Sequence, residues 1–142
     1  VKKGNAVALI SRIKEKANKF IIHELEEHGI EGIVPSHGEI LVILFQGGQY
    51  SMKELAEKIG RTKPTVTVLV DKLVDFGYVV RETCAADNRV TYIGLTEKGR
   101  SLKPVFDEIS QKLNSLVYGD MLPEEAAHLE KILSDMNRRF DE

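Results

Sequence analysis

SMKELAEKIGRTKPTVTVLVDKLVDFGYVVRETCAADNRVTYIGLTEKG, residues 51–99, changes the period of its apolar residues along its length, and that change decides the fold. Met52, Leu55, Ala56 and Ile59 fall at i, i+3, i+4 and i+7, which predicts a short helix capped by Ser51 and closed by a sharp turn at Gly60. A second helix follows at once. Thr62 is its expected N-cap, Pro64 sits in the first turn where a missing N–H costs nothing, and Val66, Leu69, Val70, Leu73 and Val74 form its buried stripe. Gly77 ends that helix. Residues 78–83 and 90–95 are then rich in β-formers and separated by six polar or small residues, the pattern of a hairpin with a longish loop.

Outward from this core the chain is helical. Over residues 5–28, Ala6, Leu9, Ile10, Ile13, Ala17, Phe20, Ile21 and Leu25 recur at three and four, predicting a long amphipathic helix stopped by Gly29. After Gly32 and Pro35, Ser36 is the expected cap of a helix over 37–45 carrying Ile40, Leu41, Leu44 and Phe45. Beyond the hairpin, Thr96 should cap one continuous helix bearing Leu102, Val105, Phe106, Ile109, Leu113, Leu116 and Val117. A last helix, opened by Leu122-Pro123-Glu124-Glu125, carries Ala126, Leu129, Ile132, Leu133, Met136 and Phe140. The fold class is mainly α with a small antiparallel β-wing.

With 142 residues and 42% hydrophobic composition, a single domain over 1–142 with a real core is expected. Cys84 has no second cysteine to pair with, which fits a reducing compartment, and no stretch approaches the roughly 20 apolar residues that span a membrane. The N-terminal VKKGNAVALISRIKEK breaks its apolar run at Arg12 and lacks the continuous core of a signal peptide. A cytoplasmic protein with nothing removed is the expectation. Net charge is −2, but residues 51–100 hold nine Lys/Arg against seven Asp/Glu while the rest is acidic. Any anion-facing surface therefore belongs to the middle of the chain.

Two helices joined by a tight glycine turn, the second opening with short polar side chains, form a helix-turn-helix, in which the second helix enters the DNA major groove. Lys63, Thr65 and Thr67 point away from the apolar stripe, and Val68, on the same open side, can touch a thymine methyl. Ser51, Arg61, Pro64 and Lys72 complete the predicted surface of this element. The same helix pair also serves protein–protein contacts. A two-stranded wing following within a few residues favours duplex DNA, because helix, turn, helix, wing has few other uses.

These pieces resemble the winged-helix core of the MarR family of bacterial and archaeal transcriptional regulators. The resemblance rests on Leu55-Ala56, on Thr65-Val66-Thr67 with Leu73, on Gly77-Tyr78-Val79 entering the wing, on Asp87-x-Arg89 at its tip and on Leu95-Thr96-Glu97-Lys98-Gly99 leaving it. It implies a homodimer whose first and last two helices (5–28 and 97–140) interlock, and whose winged helix-turn-helix cores (36–96) read a palindromic operator. The length of the first helix and the apolar character of the last two independently call for a partner. Where the family often has a basic residue, this chain has Val68. Arg89 is expected in a minor groove, held by Asp87, with Asn88 taking a left-handed backbone at the tip.

The resemblance also implies a ligand-responsive repressor with a small-molecule effector. The sequence does not identify the compound; His37, near the start of the second helix, is the candidate contact. His23, Glu27, His28 and His37 lack the convergence of a metal site, so no metal and no cofactor are expected. Cys84, at the base of the wing, reads as an inert thiol. No glycine-rich phosphate loop and no Ser/His/Asp set is present, which argues against an enzyme. The reading from another class is a winged-helix protein–protein interaction module without DNA binding.

Overall fold

A computed structural model describes residues 4–142. The long first helix, α1, spans Ala6–Glu27 and packs its C-terminal half on α2 (Pro35–Phe45). A strand of two residues, β1 (Tyr50–Ser51), leads into α3 (Met52–Ile59) and α4 (Lys63–Asp75), followed by the hairpin β2 (Val79–Thr83) and β3 (Thr91–Leu95). The chain ends with α5 (Glu97–Arg100), α6 (Lys103–Tyr118) and α7 (Pro123–Arg139).

The chain divides into two compact units, one reaching to Ile109 and the other comprising Ser110–Glu142. In the first, Leu25, Ile33, Ile40, Leu41, Leu44, Leu55, Val66, Val70, Leu73 and Ile93 are fully buried. Each such aliphatic side chain is worth roughly 1.5–3 kcal/mol relative to exposure, so this cluster fixes the winged helix. In the second, Tyr118 donates to Glu130 Oε2 at 3.1 Å, which holds the phenol above its ordinary pKa, and no side chain of Ser110–Glu142 is buried.

The sheet has the order β1-β3-β2, antiparallel throughout, with Tyr50 opposite Ile93 and Val79 opposite Leu95. The expected hairpin is present, both of its strands starting one residue later. The third strand escapes sequence reading because two residues cannot display a period of two. Two boundaries also differ. The second helix begins at Pro35, not after Ser36. Proline favours the first helical position and forces the residue before it into an extended conformation, so Val34 becomes the N-cap. The single helix expected after Thr96 is two: Pro104 has no N–H to offer the carbonyl of Arg100, and a turn at Ser101-Leu102 separates α5 from α6.

Candidate nucleic-acid interface

Reciprocal caps open α3. The Glu54 N–H donates to Ser51 Oγ at 3.1 Å and the Ser51 N–H to Glu54 Oε1 at 3.0 Å; these bonds hold the Glu54 carboxyl below its ordinary range. Gly60 then closes α3 at φ +67°, a conformation that disfavours any side chain. Thr62 caps α4, its Oγ1 accepting from the Thr65 N–H at 3.4 Å and lying 2.9 Å from the Thr65 hydroxyl.

Val66, Val70 and Leu73 are fully buried beneath α4. At 100° per residue, Pro64, Val68, Asp71 and Asp75 lie on the opposite face. Val68 is 68% exposed, and Pro64, Thr65, Lys63 and Lys72 are exposed around it. Thr67 is half-buried at the margin and returns its hydroxyl to the Lys63 carbonyl at 3.0 Å. Arg61, in the turn, lies 3.7 Å from Glu39 of α2, and Lys72 lies 5.8 Å from the centre of the Phe76 ring. One charged pair was not read from the sequence: Asp71 on α4 bonds to Arg81 on β2. The signal was available in part, since Asp71 follows Thr67 by one helical turn.

At the wing tip the Arg89 guanidinium grips Asp87 through Nε to Oδ1 at 3.0 Å and Nη2 to Oδ2 at 3.2 Å, and the Arg89 backbone N–H also donates to Oδ1 at 3.0 Å. Those contacts, the side-chain fork first, hold the Asp87 carboxyl below its ordinary range. The Arg89 side chain is nevertheless 90% exposed, presenting charge and remaining donors outward. Asn88 does not take the left-handed backbone expected of it: among the described residues every positive φ belongs to a glycine. The Asp87 side chain ties down the tip and removes the need. Cys84 is half-buried beside the loop, its N–H bonded to the Val90 carbonyl at 2.8 Å.

His37 is 4% exposed and its Nδ1 accepts the Val34 N–H at 3.0 Å, filling the place that a carboxylate takes in an ordinary capping box. The ring thus has work within the fold. Burial first, and the charge of Lys72 second, lower its pKa from 6.5. A base with a lowered folded pKa stabilises the fold fully above its unfolded value and loses that contribution as pH falls through the folded one. Urea midpoints are therefore expected to fall as pH drops below 6.5, and His37→Gln should flatten that dependence; an unchanged slope would show that another group sets it.

Among the described residues no group of three or more His, Cys, Asp and Glu side chains is placed to hold a metal ion, and no helix is long and apolar enough to cross a membrane. His23 pairs with Glu27 at 3.7 Å and His28 with Glu108 at 3.1 Å.

The MarR family model matches residues 33–91, from the end of the α1–α2 loop to the first residue of β3. Over those residues the chain is similar to the MarR family. MarR proteins are transcription regulators and not enzymes. The chain is 26% identical over 126 residues to the HTH-type transcriptional regulator MhqR of Bacillus subtilis (strain 168), covering 89% of this chain and 74% of that protein. In structure it resembles the transcriptional regulator SlyA, with a TM-score of 0.82 at 19% identity over 96% of this chain and 94% of that one. It also resembles a mutant MarR from E. coli complexed with operator DNA, with a TM-score of 0.79 at 20% identity over 96% and 99% of the two chains.

Proposed function

We propose that this chain is a member of the MarR family and acts as a homodimeric, sequence-specific DNA-binding repressor that reads a palindromic operator with α4 and the wing and releases it on binding a small molecule. The observation that carries the reading is the outward face of α4. Lys63, Thr65 and Val68 are exposed opposite a fully buried stripe, so that the helix offers donors and a methyl-sized apolar contact with its backbone held rigid. Arg89 at the wing tip supplies a second, cationic contact suited to a minor groove. Ser51, Arg61, Pro64, Lys72, Asp87 and Asn88 flank these two elements and belong to the same proposed interface. The E. coli MarR of the same fold was crystallised with operator DNA, which supports the assignment.

A homodimer is supported by apolar surface exposed on each unit. Val7 and Ile13 on α1 are 74% and 57% exposed, and Leu116, Ile132 and Phe140 stand open in the second unit. Monomers seldom leave so much apolar surface bare without a partner. For the ligand response, support comes from a cleft of about 420 Å³ in the first unit, floored by Leu44, Phe45, Val80 and Leu95 and edged by Arg100 and Lys103. Its strand wall belongs to the wing, so an occupant there would bear on a DNA-reading element. The proposed effector contact at His37 would have to reach a buried ring.

The test is a titration of duplex fragments from upstream of the coding region, followed by fluorescence anisotropy over a salt series. Affinity should fall steeply with salt as phosphate counterions are released, and Lys63→Ala should weaken binding and reduce the log–log slope by about one. Binding to no fragment, or binding indifferent to salt, would favour a protein–protein interaction module instead.

A further inference from the structure

Asp71 occupies an awkward position. It lies on the outward face of α4, three residues beyond Val68 and four beyond Thr67, where a bare carboxylate would confront the phosphates of any duplex docked there. Arg81 reaches it from the wing. In β2, Arg81 stands opposite Ile93 and shares a face of the sheet with buried Val79, and its guanidinium Nη2 donates to Asp71 Oδ1. The pair remains in contact with water, its side chains 57% and 36% exposed for Asp71 and Arg81. It is also the direct charged link between the two elements proposed to read DNA.

We propose that Arg81 is a positioning residue for operator binding: it neutralises Asp71 on the reading face, without itself contacting DNA. The inference rests on the DNA-binding reading above. Two consequences distinguish it from a phosphate contact. Removing Arg81 exposes a like charge to the duplex, so the damage should disappear when the carboxylate is removed as well. The repulsion is between exposed charges, so the damage should also shrink as salt screens it.

Wild type, Arg81→Ala, Asp71→Asn and the double variant would be compared on one operator duplex over a salt series, with thermal melting of each protein alone. Arg81→Ala should lose about tenfold or more in affinity near 0.1 M salt, and less as salt rises. Asp71→Asn should bind as tightly as wild type or tighter, and the double variant should recover to within about threefold. Melting temperatures should barely move, as for other exposed ion pairs. A double variant as weak as Arg81→Ala, with the salt slope reduced by about one in both, would assign Arg81 to a phosphate and overturn the proposal. Parallel losses of melting temperature and affinity in both single variants would reduce the pair to a structural brace and overturn it too. Wild type that binds no duplex would remove the DNA-binding reading itself, a result visible before any variant is compared.

Discussion

Gly99→Ala is expected to destabilise the protein by about 3 kcal/mol, the upper end for forcing a methyl group into a filled site. A Cβ on Gly99 would lie 2.0 Å from the Tyr78 carbonyl oxygen and 3.0 Å from Leu95 Cδ2. The first obstacle is backbone and cannot swing aside. That carbonyl also accepts the Thr96 N–H at 3.1 Å, while the Thr96 hydroxyl donates to the Gly77 carbonyl at 2.6 Å and accepts the Gly99 N–H at 3.0 Å. The corner where β3 passes into α5 is therefore clamped to the residues that open the wing, and moving Tyr78 would disturb all three bonds. Urea denaturation would measure the loss. Gly38→Ala is the matched control, because Gly38 lies within α2 and its added Cβ would meet only the edge of the Phe106 ring at 3.4 Å. That substitution should change stability by less than about 1 kcal/mol. Equal stabilities for wild type and Gly99→Ala would show that the corner can relax.

Arg89→Ala is expected to cost operator binding about 1–3 kcal/mol, roughly five- to 150-fold in affinity, while leaving the fold intact. The expected size follows from preorganisation. Asp87 holds the guanidinium by two side-chain bonds before DNA arrives, so less rotamer entropy remains to be lost on insertion. An exposed pair of this kind contributes little to folding, so melting should hardly change. The loss should also depend on sequence. A narrow A·T-rich minor groove concentrates negative potential, and replacing A·T by G·C beneath the wing should weaken wild type more than Arg89→Ala. Normal operator binding by Arg89→Ala would make the Asp87–Arg89 pair an ordinary surface contact.

Much of the fold was legible because its signals are local and redundant. Ser51 and Thr62 announce α3 and α4 by their capping chemistry, Gly60 sets the turn between them, and Val66, Val70 and Leu73 repeat often enough to define a face. Proline chemistry overrides a reading based on caps and periodicity at Pro35, which moves the start of α2, and at Pro104, where α5 and α6 divide what reads as one helix. The strand β1 exists only through its pairing with β3, information that two residues cannot carry. The same division holds at the interface. Asp87 and Arg89 are two residues apart and their partnership could be read directly, whereas Asp71 and Arg81 meet only after α4 and β2 are packed together. His37 could be singled out as a polar group near a helix start, but its burial and its bond to Val34 depend on tertiary context.

The central claim is that two copies of the chain each present α4 and a wing to one duplex. Hydroxyl-radical footprinting combined with methylation interference on the operator tests it most directly. Two blocks of major-groove interference are expected about one duplex turn apart, related by the operator's two-fold symmetry, each flanked by minor-groove protection that Arg89→Ala removes. A single asymmetric block, or uniform protection with no interference at base edges, would contradict it.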